Sequence, residues 1–116
     1  MEMEVVSLGD RLVRVNLVGR LDTKGVDRVE TKFVSSLVPA GNNAVVDLSG
    51  VDFLGSMAIR MLISTARSLK ARQAKLVLFG ARPEVGQVFE AVGLNKIIDI
   101  CAKEGDALAL VSTPQD

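Results

Sequence analysis

The chain has 116 residues, and its 14 basic and 14 acidic side chains leave no net charge. This length predicts one domain over residues 1–116, and a hydrophobic content of 48% is enough to build a core. A neutral chain is a poor candidate for nucleic-acid binding, which needs a basic face against phosphates. The sequence contains no His, Trp or Tyr, which disfavours metal centres, imidazole catalysis and base stacking. We therefore expect no catalytic residue, no metal, no cofactor and no nucleic-acid partner.

The sequence also bears on location. Its longest apolar runs fall far short of the roughly 20 residues that span a bilayer. The first ten residues, MEMEVVSLGD, are acidic and lack the basic-then-apolar order of a signal peptide. Cys101 is the single cysteine, which agrees with a reducing compartment. We expect a cytoplasmic protein without a membrane span.

The first half of the chain predicts three strands and one helix. The segment RLVRVNLV alternates polar and apolar side chains, as a half-buried strand does, and AVVDL is typical of a short buried strand. Between them, apolar residues recur at spacings of three and four, as on one side of a helix that Asp22 or Thr23 can cap. The predicted elements are, in order, a weak strand at 3–7, a strand at 11–18, a helix at 21–37, a strand at 44–48 and a loop at 49–55.

The second half alternates helices and strands. An apolar stripe follows the predicted second helix, and Met57 and Met61 lie on a flank of that stripe. Pro83 suits the first position of a third helix, and Gly93 suits the position just past its end. The predicted elements are a helix at 56–71, a strand at 75–79, a helix at 83–92, a strand at 96–100, a short helix at 106–111 and a frayed tail at 112–116.

Short apolar strands that alternate with amphipathic helices predict an α/β fold with a mostly parallel sheet. We expect four to five strands in sequential order and about four helices, with the strands from 11–18 onward as parallel neighbours. The side chains expected to be buried against the sheet are Phe33, Ile59, Leu62, Ile63, Phe89 and Val92.

The sequence lacks the common signatures of nucleotide enzymes. GxGxxG and the P-loop pattern are both absent. Asp47 and Asp52 bracket Ser49 and Gly50, and turn formation by their side chains is favoured over a paired-carboxylate active site.

The stretch FLGSMAIR places a single hydroxyl at the start of the predicted second helix. After Gly55, Ser56 is positioned to be the N-cap, with its oxygen accepting a backbone N–H. A helix start also favours phosphate, through its free N–H groups and its dipole. The residues alone favour the cap and leave phosphorylation open.

Three segments together resemble the STAS domain family, and most closely its anti-sigma factor antagonists. They are VGRLDTKGVDRVE, then VVDLSGVDFLGSMAIRMLISTARSLKARQAKLVLFG, then VFEAVGLNKIIDI, and the likeness runs from about Val13 to Ile100. The resemblance implies a small domain with sequential strands that works by binding proteins, without catalysis. It implies binding to an anti-sigma factor with kinase activity, which frees the sigma factor. Phosphorylation at the start of the second helix would end that binding.

The resemblance carries over residue by residue. The family commonly reads Asp-Ser-Ser-Gly or Asp-Ser-Ala-Gly where this chain has GSMA, residues 55–58. Ser56 matches the first hydroxyl position and Met57 replaces the second, so Ser56 is the candidate phosphorylation site, and we expect it to be both cap and switch. The residues expected to contact the partner are Asp22, Thr23, Ser49, Leu54, Gly55, Ser56, Met57, Arg60, Met61 and Ser64.

Two alternatives stay open. The missing second hydroxyl favours a constitutive STAS subunit of another complex, such as a lipid-transport ATPase. The other alternative is a small-ligand-binding domain or an enzyme, against which the absence of His and of phosphate-binding loops weighs. A weak homodimer is also left open.

Overall fold

The computed structural model describes residues 1–112. Of the tail expected to fray, residues 113–116 lie outside the described residues, and the backbone of Ser112 ends the last helix. In chain order the elements are β1 (Glu2–Gly9), β2 (Leu12–Leu21), α1 (Thr23–Leu37), β3 (Asn43–Leu54), α2 (Ser56–Ala71), β4 (Leu76–Phe79), α3 (Pro83–Val92), a 3-10 turn (Leu94–Lys96), β5 (Asp99–Cys101) and α4 (Glu104–Ser112).

The five strands form one sheet in the order β1-β2-β3-β4-β5. β1 is antiparallel to β2, and every later neighbour is parallel. This confirms the predicted α/β class, the sequential order and the four parallel strands. Parallel neighbours need a crossover between them, and here α1, α2 and α3 supply the three crossovers.

The helices cover the two faces of the sheet unequally. Side chains of α1, α2 and α3 pack with the inner residues of β2 and β3 into the main core. α4 alone packs on the other face, where Ala107 and Val111 join Val45, Val77 and Phe79 in a second, smaller cluster. The Arg14 guanidinium pairs with the Glu104 carboxylate at 2.7 Å and ties α4 to the sheet.

β3 is longer than predicted, because residues 49–54 continue the strand instead of forming a loop. The ends of β2 and β3 stay paired as far as Leu21 and Leu54, with two register shifts on the way. Gly50 permits this close pairing, since a Cβ there would lie 2.8 Å from Cγ2 of Val18. A Ser-Gly pair that favours a turn in isolation is here part of a bulged strand.

Other boundaries move by a few residues. Leu21 ends β2 and does not belong to α1, and β5 begins at Asp99, after a 3-10 turn that occupies part of the predicted strand. The cap predictions for the third helix are confirmed: Pro83 is its first residue, and Gly93 follows its end with a left-handed φ of 71°.

The predicted core is correct in part. Phe33, Leu62 and Phe89 are buried, whereas Val92 is 52% exposed. Ile59 and Ile63 are half-buried. The fully buried side of α2 consists of Ala58, Met61, Leu62, Thr65 and Leu69. The helix is rotated relative to the predicted stripe because small residues, Ala58 and Thr65, face the sheet.

Candidate functional site

The candidate site lies at the carboxyl edge of the sheet, where β2 leads into α1 and β3 leads into α2. The two connections are joined directly, since the backbone N–H of Gly55 donates to the carbonyl oxygen of Leu21 at 3.0 Å. The starts of α1 and α2 therefore lie beside each other, and Asp22 and Ser56 belong to one edge of the molecule.

Asp22, one of the two residues predicted to cap α1, is its N-cap. Its Oδ1 accepts the backbone N–H of Gly25 at 2.8 Å. This hydrogen bond is the main cause of the lowered pKa of the Asp22 carboxyl; desolvation opposes it, and the Arg20 guanidinium at 3.6 Å adds to the lowering. The ionised carboxylate is thus the form that the folded state prefers.

The lowered pKa of Asp22 makes the cap pH-dependent. Its stabilisation is fully present above the unfolded pKa of about 4 and is lost as pH falls through the lower folded value. We expect Asp22→Asn, which keeps an acceptor but lacks the charge, to be less stable than wild type at pH 7. The difference should be smaller at about pH 2, because the stabilisation by the carboxylate is lost progressively as the pH falls.

Urea unfolding at the two pH values measures this effect. The same change at Asp52, which is exposed and caps no helix, should leave the unfolding free energy unchanged. A deficit of Asp22→Asn that is equally large at both pH values would contradict the role of the charge.

Ser56 is not the N-cap of α2, contrary to the prediction. Gly55 occupies that position with an extended backbone (φ −100°, ψ −177°), and no side chain caps the helix. β3 runs to Leu54, so the helix begins one residue earlier than a serine cap requires. Ser56 is instead the first helical residue, and its exposed hydroxyl is not engaged in capping.

Eight of the ten expected contact residues remain available to a partner, and two do not. Leu54 and Met61 are 5% and 2% exposed and belong to the main core. Their expected direct contact with a partner was wrong, because the inner face of β3 and the rotated α2 turn both side chains inward. Met57 is 37% exposed and stays at the surface. The other available residues are Asp22, Thr23, Ser49, Gly55, Ser56, Arg60 and Ser64.

An aromatic contact at this edge was not predicted from the sequence. Phe53 is 41% exposed, and its ring lies under the Arg20 guanidinium, 4.5 Å from the ring centre. Arg20 also pairs with Asp22, so these three side chains connect the start of α1 to the end of β3. The signal in the sequence was Phe53 itself, a large apolar side chain in a segment predicted to be a loop.

Of the two acidic residues that bracket Ser49 and Gly50, Asp47 and Asp52, Asp47 has a structural role. Its Oδ1 accepts the backbone N–H of Ser49 at 2.9 Å; this contact lies within β3, and the predicted turn does not form. The backbone of Ser49 makes a second contact, because Arg82 Nε donates to its carbonyl oxygen at 3.0 Å.

Across residues 1–112, no three His, Cys, Asp or Glu side chains converge where a metal ion could bind. In that same part of the chain, no helix is both long and apolar enough to cross a membrane.

Comparison with known proteins agrees with this geometry. The anti-sigma-B factor antagonist of Listeria monocytogenes is 29% identical over 94 residues, which are 81% of this chain and 82% of the relative. Unphosphorylated SpoIIAA, an anti-sigma factor antagonist, superposes with a TM-score of 0.78 at 20% identity, covering 99% of this chain and 100% of SpoIIAA. Phosphorylated SpoIIAA from Bacillus gives 0.72 at 21% identity, with 95% and 99% covered. The sequence profile of the STAS domain matches residues 5–107, and the chain therefore belongs to the STAS domain family.

Proposed function

We propose that this protein is an anti-sigma factor antagonist. It binds an anti-sigma factor with kinase activity through the edge that carries Ser56, frees the sigma factor, and is released when Ser56 is phosphorylated. The observation that carries the proposal is the exposed hydroxyl of Ser56, which lies at the first position of α2 and does not cap the helix. The relatives that share this fold include named antagonists.

The surface around Ser56 has the composition of a protein-binding site. Phe53 and Met57 are both more than one-third exposed, and they flank Gly55 and Ser56 along the chain. Arginine and aromatic side chains are enriched at the centres of protein interfaces, and methionine adapts its shape to a partner. Action by binding, without catalysis, in the cytoplasm is part of the proposal.

Reconstitution tests the proposal directly. Purified protein is added to an anti-sigma factor of the source organism that holds its sigma factor, and release is followed by transcription from a sigma-dependent promoter. The protein should restore transcription, and incubation with the kinase and ATP should abolish that effect. Mass spectrometry should then find the phosphate on Ser56.

The alternatives give different outcomes in the same assays. A constitutive subunit would co-purify with a transport ATPase and would carry no phosphate after incubation with the kinase. A small-ligand protein would show a large, saturable rise in melting temperature in a ligand screen. Failure to bind any anti-sigma factor would overturn the proposal.

Met57 provides a test of the surface itself. We expect Met57→Glu to weaken anti-sigma factor binding by about tenfold or more, because a charge would enter an apolar contact region. Its melting temperature should stay within a few degrees of wild type, because the side chain is already exposed to solvent. Calorimetric titration and thermal unfolding measure the two quantities. If the variant unfolds, or binds as tightly as wild type, the surface lies elsewhere.

A further inference from the structure

A cleft of about 650 Å³ lies at the amino edge of the sheet, where α2 ends and β4 begins. This edge is opposite the one that carries the candidate site, and the volume is typical of a small-molecule site. The floor of the cleft is apolar and buried, and it consists of Ala74, Leu76 and Ile98. The side chains on its rim are exposed, and they are Lys70, Gln73, Ile97 and Asp99. The half-buried Ala66 and Lys75 complete the lining.

The backbone of Gln73 indicates that its side chain has a role in the cleft. Gln73 has a left-handed φ of 62°, and its N–H donates to the carbonyl oxygen of Lys70 at 3.0 Å at the end of α2. Glycine is the usual residue in this conformation after a helix, because an L side chain is disfavoured there, and Gly93 has it at the end of α3. A glutamine in a conformation that costs stability is explained if its amide binds a ligand.

The charged side chains of the cleft leave one positive charge. Lys75 Nζ pairs with Asp99 Oδ2 at 3.2 Å, so these two groups neutralise each other. Within residues 1–112, the basic members of the ion pairs are Arg14, Arg20 and Lys75, and Lys70 belongs to none of them. One uncompensated ammonium beside a carboxylate fits a monoanion better than a phosphate dianion, which Asp99 would repel more strongly.

We propose that this cleft binds a small organic carboxylate with an aliphatic body. The carboxylate of the ligand pairs with the Lys70 ammonium and accepts a hydrogen bond from the Gln73 amide, while the aliphatic body covers Leu76, Ile97 and Ile98. Apolar surface removed from water supplies the affinity, and the few polar groups fix the orientation. The candidate site at the opposite edge stays free, so the cleft adds a ligand to the proposed antagonist and does not replace its function.

NMR titration of the whole protein with octanoate tests the cleft. Octanoate should shift the signals of Ala66, Ile97 and Ile98 in a saturable way, with a Kd of about 1 mM or below. Acetate lacks the aliphatic body and octylamine carries the opposite charge, so neither should shift these signals at the same concentrations. Octyl phosphate should bind about fivefold more weakly than octanoate or worse. No shift with octanoate, equal shifts with acetate or octylamine, or binding of octyl phosphate as tight as that of octanoate would overturn the proposal.

Three variants separate ligand binding from stability. Gln73→Gly should weaken octanoate binding by about threefold or more, yet its melting temperature should not fall, because glycine tolerates the left-handed conformation. Lys70→Ala should weaken binding by about tenfold. Arg67→Ala is the matched control, since it removes a cation from the same helix but lies outside the cleft; it should change the Kd by less than about twofold.

Equal losses for Arg67→Ala and Lys70→Ala, or full binding by Lys70→Ala, would overturn the site. A Gln73→Gly variant that binds octanoate as tightly as wild type, or that melts at a lower temperature, would overturn the role of the glutamine. None of these measurements uses an anti-sigma factor, so their outcome is independent of the proposed function.

Discussion

Ser56→Asp is expected to weaken anti-sigma factor binding by about 100-fold, whereas Ser56→Ala should change it by less than about threefold. The carboxylate introduces a permanent negative charge at the start of α2, near the exposed Phe53 and Met57. Burying that charge in the proposed apolar interface costs desolvation of the carboxylate. Alanine removes only the hydroxyl, which caps nothing in the fold.

Calorimetric titration of both variants, together with their melting temperatures, decides the outcome. The aspartate should not destabilise the free protein, because a negative charge at the first position of a helix interacts favourably with its dipole. Equal binding of the two variants would refute the switch. A large loss with Ser56→Ala would mean instead that the hydroxyl itself contacts the partner.

Gly25→Ala is expected to destabilise the fold by about 1–3 kcal/mol or more. A Cβ at this position would overlap the backbone carbonyl oxygen of Arg20 and crowd Oδ1 of Asp22 at 3.3 Å. Relief requires a backbone shift at the start of α1, which would also disturb the bond from the Gly25 N–H to the Asp22 cap. This cost outweighs the usual gain from replacing glycine by alanine in a helix.

Gly86 in α3 is the matched control for Gly25. A Cβ there would have no neighbour within 4 Å, so Gly86→Ala should stabilise the protein by about 0.5–1 kcal/mol. Urea unfolding of the two variants should give opposite signs. A Gly25→Ala variant as stable as wild type, or more stable, would show that the crowding at Arg20 does not limit the position.

Much of the fold follows from periodicity. Alternating and apolar strands separated by helices predicted the parallel sheet and its order, and local cap chemistry at Asp22, Pro83 and Gly93 predicted where helices begin and end. These features depend on neighbours in the chain, which a sequence displays directly.

The errors concern contacts between distant segments. The extension of β3 depends on pairing with the end of β2, and that pairing moved the cap of α2 from Ser56 to Gly55. The orientation of α2 depends on Ala58 and Thr65 facing the sheet, which hydrophobicity alone ranks below Ile59 and Ile63. Both errors fall on the candidate site, where we propose that the sequence serves a partner as well as its own core.

Because α4 packs alone on one face of the sheet, its local stability differs from that of the main core. The cluster beneath it is small and separate from the main core, and its attachment includes the partly exposed Arg14–Glu104 pair. An element with few buried contacts opens at a lower free energy than the global unfolding of the domain. Amide hydrogen exchange of α4 should therefore be faster than that of β2 and β3, while the opposite face, which carries α2, keeps its protection. Local unfolding at one face of the sheet then leaves the proposed partner-binding surface intact.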